Sequence, residues 1–156
     1  MTEQHAVERR HPPSALMRLV NPVVRYLVGR GRAGDQLLVL HYTGRRTGRR
    51  FDVPAGYHLV DGVPTVFTNS GWRHNFAGGA DVEVTSGGRR RAGRATLVTD
   101  PPTVAGVYRR LIDEIGWRAA QRRMGIRVTV GRAPTLEELQ DAVTRSGLSL
   151  VRLDLR

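Results

Sequence analysis

The sequence predicts a mainly β domain, an antiparallel barrel of about six strands flanked by helices, and three features carry that prediction. Leu37, Leu38, Val39 and Leu40 form a continuously apolar run too short for a buried helix, as a strand covered on both faces would be. Asp61-Gly62 and Ser86-Gly87-Gly88 are hairpin signals between further strand-like runs. Beyond Asp100 the apolar spacing changes to that of helices.

Taken in order, residues 1–13 are polar and end in Pro12-Pro13, which predicts a flexible tail. Ser14 caps a short helix carrying Leu16, Leu19 and Val20, and Asn21-Pro22 opens a second with Val23, Val24, Leu27 and Val28. Residues 29–34, GRGRAG, form a linker, so that residues 1–34 stand apart from a barrel domain over 35–156. Arg18, Arg25, Arg30 and Arg32 flank the apolar face of this segment, which either packs on the barrel or rests weakly on an anionic membrane surface.

Phe51 to Val60 reads as the second strand, with Pro54 calling for an edge or bulge, and Val63 to Thr68 as the third. Asn69 to Ala80 is a loop. Val82 to Thr85 and Ala92 to Val98 then pair, with Arg89, Arg90 and Arg91 too charged to be buried. Asp100-Pro101 starts a helix with Val104, Val107, Tyr108, Leu111, Ile112 and Ile115 on one face, stopped by Gly116. Trp117 to Met124 is a second helix, closed by Gly125. Thr135-Leu136-Glu137-Glu138 is a capping box opening a third, with Leu136, Leu139 and Val143 inward and Gly147 as its C-cap. Leu148 to Leu155 reads as the last strand.

At 156 residues and 40% hydrophobic content this is one domain with a single core. The N-terminus lacks the apolar stretch of a secretory signal and no run is long enough to span a membrane, so a cytoplasmic location is expected. There is no cysteine, which excludes disulfides and thiolate chemistry. All 25 basic residues are Arg, which excludes Schiff-base and P-loop lysines. Codon bias toward Arg explains much of that count, yet the net charge of +11 still attracts anions. His5, His11, His41, His58 and His74 show no metal-binding spacing, and no metal is expected.

The chemistry concentrates in Tyr42-Thr43-Gly44-Arg45-Arg46-Thr47-Gly48-Arg49-Arg50. Four arginines within six residues repel one another unless an anion joins them, and two glycines let main-chain N–H groups approach it closely. The turn reads as an anion cradle. Its plainer reading is a solvated Arg-rich hairpin loop.

The order of strand, T-G-R-R-T-G turn, strand with a proline, Asp-Gly hairpin, strand and W-R-H-N-F-x-G-G-A loop resembles the deazaflavin (coenzyme F420)-dependent nitroreductase family over roughly residues 37–98. The resemblance implies a split β-barrel related to the pyridoxamine-phosphate-oxidase-like flavoproteins. It also implies an F420-dependent reductase acting on a small electrophile such as a quinone, nitroaromatic or activated alkene. By that resemblance Arg45, Arg46, Thr47 and Gly48 contact the cofactor's phosphate and tail. Arg50 is a further basic contact, displaced by one from the family's x-P-R pattern. Thr68, Asn69, Ser70, Trp72, Arg73 and Asn75 then line the ring pocket, although Trp72 as a plug and Asn75 as a loop cap serve equally.

A reduced deazaflavin carries its own hydride, so the protein need only orient, exclude water and supply a proton. Tyr57, His74 and Tyr108 are the candidates for proton donation or substrate orientation. FMN is the competing cofactor, and a homodimer is expected because such barrels complete their sites at subunit interfaces. A non-catalytic carrier of lipid or fatty acid is the first rival. A basic single-strand-binding barrel is the weaker one, because no strand pair carries regularly spaced aromatics, and no specific nucleic-acid partner is expected.

Overall fold

The computed structural model describes residues 6–9, 37–124 and 126–156. The expected N-terminal helices, the linker and the membrane-facing arginines lie outside the described residues. The strands are β1 (Val7–Arg9), β2 (Leu37–Thr43), β3 (Arg50–Gly56), β4 (His58–Val60), β5 (Val63–Thr68), β6 (Ala80–Ser86), β7 (Arg89–Val98), β8 (Ile126–Val128) and β9 (Ser149–Leu155). The helices are α1 (Pro101–Ile115), α2 (Trp117–Met124) and α3 (Leu136–Ser146), with a 3-10 helix at Gly71–Phe76.

The mainly β architecture is as expected. Seven strands form a mostly antiparallel, curled sheet of split-barrel type in the order β3-β2-β6-β7-β9-β5-β4, and β1 pairs with β8 in a separate two-stranded sheet. Among the described residues no helix is long and apolar enough to cross a membrane. The chain clusters into two compact units. One comprises residues 6–9, Phe67–Ser70 and Val98–Leu150, and the other residues 37–66, Gly71–Leu97 and Val151–Arg156.

In the sheet-bearing unit, β2 is the strand covered on both faces that its apolar run predicts: Leu38, Val39 and Leu40 are all buried. It pairs with β3 on one side (Leu38↔Ala55, Tyr42↔Phe51) and with β6 on the other (Leu40↔Val84). Leu38, Leu40, Tyr42, Val66 and Phe76 pack with Val82, Val84, Ala95, Val151 and Leu153 into one core. Each such aliphatic side chain contributes roughly 1.5–3 kcal/mol relative to exposure. Burial raises the pKa of the Tyr42 phenol. Pro54 sits on β3, an edge strand of the sheet, as a proline within a strand calls for. Across the sheet surface His41 joins three strands, with Nδ1 2.7 Å from Asp52 Oδ1 on β3 and Nε2 2.7 Å from Thr85 Oγ1 on β6.

The helical unit follows its caps. Asp100 accepts from the Thr103 N–H at 3.1 Å, and Thr135 and Glu138 form the reciprocal box, Glu138 N–H to Thr135 Oγ1 at 3.2 Å and Thr135 N–H to Glu138 Oε1 at 3.0 Å. Gly147 ends α3 in the left-handed conformation, at φ 69°. The buried face of α1 is Val104, Ala105, Tyr108, Leu111 and Ile112, with Val107 and Ile115 half-buried at its margins.

Four expectations are corrected. Within the predicted tail, residues 7–9 form β1, because Val7 is fully buried and the strand pairs with β8 through Val7↔Val128. Phe51 to Val60 is two strands broken at Tyr57 rather than one. The loop after β5 contains the 3-10 helix. Leu136 is 43% exposed, since the first turn of α3 turns it outward and Ala142 joins Leu139 and Val143 inside.

Two outcomes are expected. A Cβ at Gly93 would lie 2.6 Å from the Asp154 carbonyl oxygen, so Gly93→Ala will lose about 1–3 kcal/mol in denaturant titration, because backbone rather than a flexible side chain blocks it. The Glu138 carboxyl is held below its usual range, first by its hydrogen bond with Arg132 and then by the Thr135 backbone N–H. That stabilisation is present above the unfolded pKa of about 4.3 and is lost as pH falls through the lowered value. Glu138→Gln will therefore be less stable than the parent at pH 6, and the gap will close toward pH 3.

Candidate functional site

The turn after β2 is built from neutral hydrogen bonds that oppose the repulsion of its arginines. The Gly44 N–H donates to the Arg49 carbonyl at 2.7 Å, the Gly48 N–H to the Gly44 carbonyl at 3.0 Å, and the Arg49 N–H to Thr47 Oγ1 at 3.3 Å. Gly48 takes φ 70°, in the region that favours glycine. Gly44 is required for a different reason: a Cβ there would lie 2.8 Å from the Phe51 ring.

Asn75 joins this turn to the 3-10 helix. Its Oδ1 accepts from the Arg45 N–H at 2.8 Å and its Nδ2 donates to the Trp72 carbonyl at 2.8 Å. The Arg45 guanidinium is engaged as well, donating through Nη2 to the Ala77 carbonyl at 2.5 Å. Beneath them Trp72 meets Phe76 edge-on at 6.0 Å, Phe76 meets Tyr42 at 5.1 Å and Tyr42 stacks on Phe51 at 5.4 Å.

Arg45, Arg46, Gly71, His74 and Asn75 line a pocket of about 420 Å³. Among the described residues no carboxylate lines it. Among the described residues, the Arg46 guanidinium and the N–H groups of Arg46 and Thr47 have no protein acceptor, and Arg46 is exposed. Arg45 is thus a brace, whereas Arg46 is the open donor. Gly71 was not singled out in the sequence; its one signal is that a glycine stands directly before Trp72.

The other predicted residues lie elsewhere. Arg50 lines a separate cleft of about 290 Å³ with His41, Thr43, Asp81, Glu83 and Arg156. There Arg90 and, more weakly, Arg50 hold the Glu83 carboxyl below its usual pKa. Tyr57 lines a third cleft. Trp72 is half-buried against the core, and Arg73 is half-buried in the same 3-10 helix. Thr68, Asn69, Ser70 and Tyr108 belong to the helical unit. There Asn69 Nδ2 donates to the Ser146 carbonyl at 3.0 Å, closing the end of α3, and Thr68 Oγ1 accepts from the Ser70 N–H at 3.0 Å. Tyr108 is fully buried and packs edge-on against Phe67 at 4.9 Å, so its ring presents no surface to a solute.

Three further arginines of the sheet are paired with acids: Arg90 with Glu83, Arg94 with Asp81 at 3.7 Å and Arg152 with Asp154 at 3.9 Å. These pairs interrupt any continuous cationic track for a polyanion. Among the described residues no group of His, Asp and Glu is arranged to hold a metal ion.

No family model and no curated protein matches this chain. Solved structures of similar backbone course include a general stress FMN/FAD-binding protein from Xanthomonas citri, at 18% identity and TM-score 0.44, covering 88% of this chain and 84% of that one. The FAD- and heme-binding protein from Mycobacterium smegmatis is similar at 18% identity and TM-score 0.45, over 87% of this chain and 66% of its own. General Stress Protein 26 from Bacillus anthracis is similar at 14% identity and TM-score 0.45, over 87% and 89%. At such identities they define no family for the chain.

The division between Arg45 and Arg46 is testable. Asn75→Ala removes the acceptor of the Arg45 N–H and the donor to the Trp72 carbonyl and will lower stability by about 1–2 kcal/mol. Arg46→Ala will stay within about 0.5 kcal/mol of the parent, as an exposed unpaired side chain should. Urea titration of the two variants checks both.

Proposed function

We propose that this chain is a deazaflavin-dependent oxidoreductase that takes the phosphate-bearing portion of coenzyme F420 on the Arg45–Gly48 turn and reduces a small electrophilic acceptor such as a quinone, nitroaromatic or activated alkene. The observation that supports it is the donor set: a guanidinium and two consecutive main-chain N–H groups, all without acceptors among the described residues, beside a pocket that none of the described carboxylates lines. Such a set suits the non-bridging oxygens of a phosphate ester, and an Arg–phosphate contact is charge-assisted and forked.

When bound, the reduced deazaflavin supplies the hydride. The chain's part is to hold the anionic portion at Arg46 and Thr47, with Arg45 and Asn75 keeping that turn in shape. His74, on the same pocket, is the group we assign to deliver a proton to the reduced acceptor, because an imidazole can both donate and accept at neutral pH. Tyr57 and Tyr108 take no part in this proposal. FMN carries a phosphate that the same donors would accept, and the test separates the two. A homodimer that completes the ring pocket belongs to the proposal and is read by sedimentation with and without cofactor.

Fluorescence titration with oxidised F420 and, in parallel, with FMN is the deciding experiment. Saturable F420 binding that survives moderate salt, and that Arg46→Ala weakens at least about tenfold, is expected, since charge-assisted hydrogen bonds are worth about 1.5–3 kcal/mol. His74→Ala will keep that affinity and lower turnover of a quinone acceptor. Tighter binding of FMN would move the cofactor assignment. Binding of neither, or binding indifferent to Arg46→Ala, would overturn the cradle.

A further inference from the structure

The sheet carries a second cationic cleft, independent of the pocket beside Arg46. It has a volume of about 230 Å³, and its floor is apolar: Leu38 from β2 and Val84 from β6, both buried, with Leu155 from β9. Pro64 and Leu59 form one wall, and Leu59 is 63% exposed, an unusual exposure for a leucine beside a concavity.

Over that floor stand two arginines. In the β6–β7 hairpin Arg89 is opposite Ser86 and Arg91 opposite Val84, and residues two apart on a strand share a face. Arg91 is held in place, donating through Nε and Nη2 to the Arg156 carbonyl at 3.2 and 3.1 Å. The Arg89 guanidinium has no acceptor among the described residues, and neither has the Tyr57 hydroxyl that lines the same cleft. Among the described residues no Asp or Glu lines it. Arg90, between the two arginines, is on the other face and paired with Glu83, so none of the described carboxylates is paired with Arg89.

We propose that this cleft binds a compact aromatic carboxylate, its ring against Leu59, Pro64 and Leu155 above the buried Leu38 and Val84 and its carboxylate on the Arg89 guanidinium beside the Tyr57 hydroxyl. The charge and the apolar floor select an organic anion with a hydrophobic body. The volume selects its size, since sites for drug-sized ligands begin at about 300 Å³. A one- or two-ring acid fits, whereas a flavin-sized ring system or a long acyl chain does not. The fork of Arg89 suits a carboxylate, which accepts two parallel N–H bonds.

Calorimetric titration with 2-naphthoate, against neutral 2-naphthalenemethanol, tests the assignment. Naphthoate is expected to bind with a Kd below about 1 mM and the alcohol at least about tenfold more weakly. Arg89→Ala will weaken naphthoate about tenfold or more and leave the alcohol unchanged, and Arg89→Lys will restore part of the loss. Leu59→Glu, placing a carboxylate on the wall, will abolish naphthoate binding. Arg46→Ala will leave it unchanged, which separates this site from the cofactor proposal. Equal binding of acid and alcohol, indifference to Arg89→Ala, or loss of binding in Arg46→Ala would each overturn the assignment. Arg89 and Leu59 are both exposed, so neither substitution removes a core contact, and melting curves of the variants verify that they are folded.

Discussion

Four guanidinium groups in six residues repel one another, and the turn after β2 keeps its shape against that repulsion through neutral hydrogen bonds and one amide side chain. The Gly44–Arg49 and Gly48–Gly44 bonds close it, and Asn75 ties it to the 3-10 helix that follows β5. Without the Asn75 bracket the Arg45 N–H and the Trp72 carbonyl would each lose a partner, and the pocket beside Arg46 would lose the relation between its two sides. Neutral bonds suit this task because they are not screened by salt, as an ion pair on this exposed turn would be.

The bracket also sets which arginine is available. Two of the donor groups of Arg45 are consumed by Asn75 and by the Ala77 carbonyl, so adjacent residues of one type have opposite roles. Sequence alone presents Arg45 and Arg46 as equivalent, because the distinction depends on Asn75 and Ala77, about thirty positions later, and on the helix that carries them toward the turn. The same holds for Asn69, whose amide closes the end of α3 at Ser146, a contact that spans 77 positions.

Features decided within a few residues were legible in the sequence. The Thr135–Glu138 capping box, the Asp100 cap, the Gly147 left-handed stop and the Ser86-Gly87-Gly88 hairpin are local bargains between a side chain and neighbouring N–H groups, or between glycine and a positive φ. The apolar run of β2 was legible because no partner had to be known to see that both faces need cover. What escaped is long-range. The β1 strand is three residues with one apolar side chain, and it exists only because Ile126–Val128 offers an edge and Arg145 donates to the Val7 carbonyl at 2.8 Å. The break at Tyr57 and the outward turn of Leu136 likewise follow from packing, not pattern. So does the distribution of the candidate residues: the glycine-and-arginine turn was readable as a turn, while Arg50, Tyr57 and Tyr108 belong to three other surroundings that only strand register and core packing define.

Register also separates the two cationic clefts. One lies at the start of β2, over Leu38, and the other beyond its end, after Thr43. Five residues of strand at about 3.3 Å each place their β2 ends roughly 17 Å apart. That is about twice the Debye length of roughly 8 Å at physiological ionic strength, so an anion in one cleft is largely screened from the other. Direct electrostatic competition between two anionic ligands is therefore weak. Coupling between the sites would have to pass through β2 itself, whose Leu38, Val39 and Leu40 are buried and paired on both sides. A strand so confined has little freedom to shift, and the same burial that makes β2 the centre of the sheet keeps its two ends chemically independent.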